Sequence, residues 1–390
     1  MTLRAGWALH RIADLGIVEG GRQVSPHYSA GTLRPYLRVA NIQHGHIDAS
    51  DLKHMLFTDA EFKRFRLRSG DVLLNEGQSL ELVGRAALYE GVPEECGFQN
   101  TLVRFRPGEQ ILPEFALILF EALHRQGRFA AIASRTTSIA HLGVERFAGL
   151  RVSLPPLREQ RDIATIGSAL EDAVRVLARL LHAKRRFKQG LAQQTFSELG
   201  ARYTPTRLSA HSIELFERNK SGLGREWVMG VIKGVGLMPM RERIRVGDLA
   251  RYKDVPPDAF AYNPMRINIG SIARNTSDRT CVVSPDYVVF QTDPDSLLPE
   301  YLDQLRHTRL WQDHMARAGA GGVRIRIYFR DLAEIRFPLP PLEEQRRIAN
   351  LLASIDNEIA TLERLADAYA KLRSALLDKL LSGEIPIPAS

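Results

Sequence analysis

One phrase occurs twice in this chain: Leu154-Pro155-Pro156-Leu157-Arg158-Glu159-Gln160-Arg161-Asp162-Ile163-Ala164 and, from residue 339 on, Leu339-Pro340-Pro341-Leu342-Glu343-Glu344-Gln345-Arg346-Arg347-Ile348-Ala349. Nine of the eleven positions are identical, and the copies lie 185 residues apart, about half of the 390-residue chain. That period is far too long for a solenoid unit of a few tens of residues, so it implies duplication of a whole domain together with the helix that follows it. The pattern also reaches backwards. Pro113-Glu114-Phe115 and Pro299-Glu300-Tyr301 each open a probable helix, to about Phe129 and about Ala316. Each helix is followed by a small polar or Gly-rich turn, Ser134-Arg135-Thr136-Thr137-Ser138 or Gly319-Ala320-Gly321-Gly322, and a short apolar strand into the phrase. The chain should be a pseudo-two-fold object.

Each copy of the phrase starts a long charged segment with one apolar face. In the first, Ile163, Ile166, Leu170, Val174, Leu177, Leu181 and Phe187 recur at spacings near three and four, the mark of an amphipathic helix. In the second, Ile348, Leu352, Ile355, Ile359, Leu362, Ala366, Tyr369 and Leu372 or Leu376 approximate the four-three step of a coiled-coil seam. Pro-Pro at each start gives up an amide that has no partner there, and Glu159 or Glu344 in the first turn suits the positive end of the helix dipole. About forty residues make a rod of roughly 60 Å, whose stripe needs a partner. Two matching stripes in one chain predict an antiparallel coiled coil with a globular module at each end. Replacing Ile355 and Ile359 with aspartate is then expected to break the rod and leave the modules folded.

The expected fold class is α+β, with four segments: a first module over 1–153, a spacer helix over 154–200, a second module over 201–338 and a second spacer helix over 339–385. Strand-like runs appear at Tyr36 to Val39, Asp71 to Leu74, Val83 to Tyr89 and Thr101 to Phe105, then at Ala261 to Ile269, Thr280 to Ser284 and Tyr287 to Gln291. The stretch from Tyr203 to Met240 reads equally as an entry strand or as a linker. With 44% hydrophobic residues the chain can bury two ordinary cores. No apolar window is long enough to span a bilayer and the N-terminus lacks an apolar signal core, so a cytoplasmic protein is expected. Cys96 and Cys281 can form neither a disulfide framework nor a CxxC zinc site, and read as buried thiols.

The formal net charge is +8, which points to a polyanionic partner. Arginines cluster at Lys63-Arg64-Arg66-Arg68, Arg241-Arg243-Arg245 and Arg324-Arg326, and the arginine fork suits phosphates and guanine edges. Catalytic patterns are missing from the sequence. Asn263-Pro264 echoes the start of an amino-methyltransferase loop, but Met265 and Arg266 break it. Gly234-Val235-Gly236 lacks the third glycine of a dinucleotide turn, and the chain contains no P-loop, H-E-x-x-H or G-x-S-x-G.

Globular module, LPPLxEQxxIA phrase and long helix, repeated once, resembles the DNA-specificity subunit of Type I restriction-modification systems. The likeness covers nearly the whole chain, including the close Leu380-Leu381-Ser382-Gly383-Glu384-Ile385. It implies a non-catalytic reader of double-stranded DNA, with one target recognition domain for each half of a split site. It also implies docking of two adenine methyltransferase subunits and, through them, of restriction and translocase subunits. S-adenosylmethionine, ATP and magnesium would belong to those partners and not to this chain. The first module carries Pro35-Tyr36-Leu37-Arg38-Val39-Ala40-Asn41-Ile42 and the second Phe260-Ala261-Tyr262-Asn263-Pro264-Met265-Arg266-Ile267-Asn268-Ile269-Gly270-Ser271, resembling two different target-domain patterns; the site should therefore be asymmetric.

The side-chain pairings that geometry favours at base edges single out Arg38, Asn41, Gln78, Arg85, Asn100, Thr137 and His141 in the first domain. In the second they select Tyr262, Asn263, Arg266, Asn268, Ser271, Arg274 and Arg324. Two other readings stay open: a specificity subunit for a different restriction or methylation system, and a coiled-coil adaptor whose modules bind protein. DNA binding that weakens steeply with salt separates the last from the rest.

Overall fold

The computed structural model describes residues 4–25, 29–135, 139–220, 222–240, 248–318 and 326–386. The chain divides into two compact units, residues 1–176 with 365–390 and residues 177–364. Two long helices, α3 (Leu157–Arg202) and α6 (Leu342–Ser382), each give one half to each unit.

The first unit is built on a four-stranded antiparallel sheet of β2 (Gly16–Gly20), β3 (Val72–Asn75), β4 (Ala86–Leu88) and β5 (Leu102–Pro107), in the order β2-β5-β3-β4. All four residues of β3 are buried, as befits a central strand covered on both faces. Over one face lie α1 (Pro113–Arg125) and α2 (Arg128–Ile132), where Phe105, Phe120, Phe129 and Phe147 meet edge to face at 5.2 to 6.4 Å. A ribbon of β1 (Ala8–Arg11) and β6 (Arg151–Leu154) leads into α3.

The second unit repeats this plan. Its sheet holds β8 (Ser212–Leu215), β11 (Phe260–Tyr262), β12 (Ile272–Arg274) and β13 (Val288–Thr292), in the order β8-β13-β11-β12. Helices α4 (Pro299–Leu305) and α5 (Arg309–Ala318) follow, and the ribbon of β7 (Pro205–Arg207) with β14 (Arg336–Pro338) leads into α6. The duplication visible around the phrase thus extends through both sheets. Residues 203–240, open on sequence, supply β7, β8 and a hairpin of β9 (Met229–Ile232) and β10 (Gly236–Pro239).

The phrase itself has a physical explanation. Gln160 and Gln345 are fully buried. The Gln160 carboxamide oxygen accepts from Leu112 N at 2.9 Å, and its nitrogen donates to Gln110 O and Pro155 O, both at 2.9 Å. Gln345 repeats this on Leu298 N, Ser296 O and Pro340 O, again at 2.9 Å. Leu112 and Leu298 are the N-caps of α1 and α4, the helices that open with Pro-Glu-aromatic. One amide therefore satisfies an unpaired helix-start N–H and fastens the long helix to its module. The first-turn glutamates meet aromatic donors: Glu159 accepts from the Trp7 indole at 3.2 Å and Glu344 from the Tyr203 hydroxyl at 2.6 Å.

The long helices pair antiparallel inside each unit. In the first, Glu171 meets Arg373 at 3.1 Å and Gly167 lies opposite Leu377. In the second, Arg202 meets Glu344 at 3.0 Å and Lys188 meets Asp356 at 2.6 Å, with Lys184–Glu358 and Arg185–Glu363 further along. A Cβ at Gly167 would stand 2.5 Å from the tip of the Ile118 side chain of α1, so a larger residue there would make Ile118 shift. Of the seam, Ile163, Ile348, Leu352 and Ile355 are buried, while Leu170, Val174, Leu177, Ile359 and Leu362 are half-buried.

Several expectations need correction. Phe187 and Leu372 face outward, and Leu376 takes the packed position. Ile355 belongs to the core of the second unit, so an aspartate there would damage that module as well as the helix pair. The two single helices are each broken: after α1 by Gly127, whose φ of 70° ends one helix and starts the next, and after α4 at Thr308, whose hydroxyl turns back onto Leu305 O. The strand expected over 261–269 stops at Tyr262, because Pro264 has no N–H and the Asn263 side chain closes a turn onto Met265 N at 2.9 Å.

Candidate nucleic-acid interface

In both units the connection from the second to the third chain-order strand of the sheet, 76–85 between β3 and β4 and 263–271 between β11 and β12, meets a segment that follows the helices in the chain. In the first unit Leu142 N donates to Glu76 O at 2.8 Å, and Gly77–Gln78 pairs with Ala140–His141, itself paired with Ser134–Arg135. In the second, Ile327 N donates to Pro264 O at 3.0 Å. A third segment touches each connection. Gly45 N donates to Ala86 O at 3.1 Å in the first unit; in the second, Lys233 at the β9–β10 turn lies against Gly270. Loops held at three points on a sheet edge make a rigid platform for surface side chains.

The first platform gathers Gln78 and His141, and the same connection ends at the half-buried Arg85. His141 Nδ1 is 3.1 Å from a Glu76 carboxylate oxygen, and Gln78 accepts from Ser79 N at 3.2 Å. The Arg85 guanidinium reaches Ile42 O and Gln43 Oε1, both at 3.4 Å, with no carboxylate partner among the described residues. Sequence reasoning missed Arg135, exposed on the ribbon, and Arg146, which donates to Ser134 Oγ, His141 O and Leu142 O at 2.9 to 3.1 Å and so fastens the ribbon. Asn100 is exposed in the turn before β5, next to Thr101, whose carbonyl accepts from Glu76 N at 2.8 Å at the start of the 76–85 connection. Arg38 is paired with Asp51. Asn41 is buried and spends its amide on Asp48 O, Asp51 O and Arg38 N, so it shapes its own loop and has nothing left for a base edge.

The second platform presents Arg266 and Asn268, both exposed, on a turn of 3-10 helix. Ser271 is buried beneath them and its N–H donates to Arg266 O at 3.0 Å, while Asn263 forms the turn already described. Tyr262 and Arg274 do not belong to this surface. The Tyr262 ring is fully buried, which pushes its hydroxyl pKa far up; it is a core residue. Arg274 is held by Asp258 at 2.7 Å, Glu300 at 2.5 Å and Asp303 at 3.7 Å. Missed here was Lys233, inside the stretch that was open on sequence; Arg326, named on sequence only as part of an arginine cluster, is exposed beside the Ile327 anchor. Thr137, Arg241, Arg243, Arg245 and Arg324 lie outside the described residues.

The Lys63–Arg68 cluster sits at the other end of β3, where Arg68 N donates to Asp71, and Arg64 is paired with Glu19. The described residues contain no group of three potential metal ligands and no helix long and apolar enough to cross a membrane. Cys96 and Cys281 are free and buried, and burial pushes their thiols up to about 12 and about 11.

A family model described as the Type I restriction modification DNA specificity domain matches residues 5–182 and 267–368. A putative type I restriction enzyme specificity subunit, MjaX, from Methanocaldococcus jannaschii is 24% identical over 387 residues, covering 90% of this chain and 87% of its own length. The StySPI specificity subunit of Salmonella potsdam is 22% identical over 426 residues, covering 98% of this chain and 90% of its own. Among solved structures, the S subunit of a Type-I restriction-modification system from M. genitalium shares the fold with a TM-score of 0.61 at 14% identity, over 100% of this chain and 99% of that one. The HsdS subunit from Thermoanaerobacter tengcongensis matches with a TM-score of 0.50 at 23% identity, over 99% of both chains.

Proposed function

Because this chain belongs to the Type I restriction-modification DNA-specificity family, and is thus the sequence-reading and not the catalytic component of such a system, we propose that each unit reads one half of a split, asymmetric DNA site through its loop platform. The single observation that carries this is the recurrence of the platform. Two units of one strand order place, at the same connection, loops of unrelated sequence that present Gln78, Arg85 and Arg135 in one case and Arg266 and Asn268 in the other. A common scaffold with divergent loop side chains is what two different half-sites require. The paired halves of α3 and α6 set the distance between the half-sites. Their outer faces dock two adenine methyltransferase subunits, through which a restriction and translocase subunit joins.

The test is single-molecule methylation mapping of DNA from cells expressing this chain with its methyltransferase partner, against cells lacking this chain alone. A split asymmetric motif methylated at adenine, and lost without the chain, is expected. Duplex affinity should also fall by orders of magnitude as salt rises, if six or more phosphates are neutralised. Methylation that does not depend on the chain overturns the reading and leaves the protein-binding adaptor in its place.

A further inference from the structure

The platform of the second unit is not purely polar. Ile232, Val235, Met265 and Ile269 are each between 46 and 64% exposed around it. The turn Lys233-Gly234-Val235 joins β9 to β10, with Gly234 at φ +75° and Gly236 at φ +113°. A Cβ built on either glycine would meet nothing within 4 Å, so the turn is open on that side while the Lys233 stem rests against Gly270. Residues 229–240, 263–274 and 326–330 contain no aspartate or glutamate in a chain with 45 of them. Lys233, Arg266 and Arg326 carry no ion pair among the described residues. An exposed apolar cluster ringed by uncompensated cations is badly matched to water and well matched to a polyanion with apolar groups in reach.

Duplex DNA is that partner. A two-stranded β-ribbon fits the major groove, where the thymine 5-methyl is the apolar mark. Resting on the DNA-reading function above, we propose that the β9–β10 hairpin is a groove-entering finger of the second unit. Val235 and Ile232 pack on thymine methyl groups of its half-site, and Lys233 and Arg266 hold the flanking phosphates. Among the described residues, the first unit meets its platform at the corresponding place with a polar turn instead. Its segment touching the platform, residues 42–47, offers Gln43, His44 and His46. Dependence on thymine methyl groups through Val235 and Ile232 should therefore belong to the half-site of the second unit.

The probe is a duplex carrying the mapped site, with thymine replaced by deoxyuridine in one half at a time, titrated against the full chain with its methyltransferase partner at fixed salt. Uracil in the half read by the second unit should weaken binding about four-fold for each methyl lost, the value of one buried methyl-sized group. Val235→Ser should narrow the thymine–uracil difference by the share that Val235 covers, about four-fold for one methyl, and leave the other half unaffected. Lys233→Ala should weaken all duplexes alike and lower the slope of log affinity on log salt by about one. Both positions are exposed on that turn, and an unchanged melting temperature checks that the unit stays folded. A half-site without thymine, a uracil duplex bound as well as the thymine one, or a Val235→Ser protein that distinguishes them as sharply as the parent overturns the finger alone. A wild-type complex that binds no duplex overturns the DNA-reading function with it.

Discussion

His124 shows how a side chain's surroundings decide its chemistry. Its ring lies 6.2 Å from that of His44, edge to face, beside Arg85 and Arg125. Burial comes first and the neighbouring His44 second in holding its pKa below the ordinary value of 6.5, with Arg85 and Arg125 adding smaller pulls against the Glu81 backbone hydrogen bond; His44 is lowered too, by burial and Arg85 against the opposing pull of Glu121 and Glu171. A histidine whose folded-state pKa is depressed is neutral in the fold, while the unfolded chain takes up a proton near pH 6.5. Stability is therefore complete above that value and is lost as the pH falls through it. The melting temperature of the first unit should be level above pH 7 and decline towards pH 5.5, and His124→Gln should flatten that decline; an unchanged slope would count against His124. The same dependence on surroundings explains which candidate readers were legible. Residue type says what Arg274, Tyr262 and Asn41 are able to bond. It does not say that three carboxylates, a core and a loop backbone already hold them. Arg266 and Asn268 were recoverable because nothing nearby in the sequence competes for them, whereas Lys233 carried no signal beyond a glycine-flanked turn.

At the level of elements, periodicity fixed the long helices almost to the residue, and branched apolar runs located most of the strands. The breaks after α1 and α4 were hidden because amphipathic spacing continues across Gly127 and Thr308, and only tertiary packing turns the chain there. The two glutamines, legible as a repeat, gave no hint of their role, since a fully buried amide bonded three times cannot be told from a surface one by spacing. Their role makes a two-sided prediction. Gln345→Ala should strand the Leu298 N–H and the Ser296 and Pro340 carbonyls, at a cost of about 3 kcal/mol. Chemical denaturation should show this as a lower midpoint. Gln160→Ala should cost a similar amount through Leu112, Gln110 and Pro155. Gln345→Glu should also destabilise, because it keeps the acceptor for Leu298 but turns a carboxylate towards two carbonyls. If either alanine variant were as stable as the parent, the amide would not be what fastens helix to module.

On the scale of the whole molecule, linear order and spatial grouping part company. A reader of the sequence draws boundaries where the phrase begins and where each stripe ends. The compact units instead divide both long helices, at 176/177 and 364/365, because antiparallel pairing gives each module the first half of one helix and the second half of the other. A change in spacer length must therefore be made in both helices at once. Four residues inserted after Val176 and four after Arg364 add about 6 Å of helix at 1.5 Å per residue, at most about two base pairs at 3.4 Å each. Methylation mapping of that variant should return the same two half-sites with a longer gap. The same insertion in α3 alone cannot keep both Glu171–Arg373 and Lys188–Asp356 in register, so it should weaken the complex without yielding a defined longer gap. If the doubly inserted protein assembles and methylates at the original spacing, the helices do not set the distance, and the half-sites must be positioned by the partner subunits.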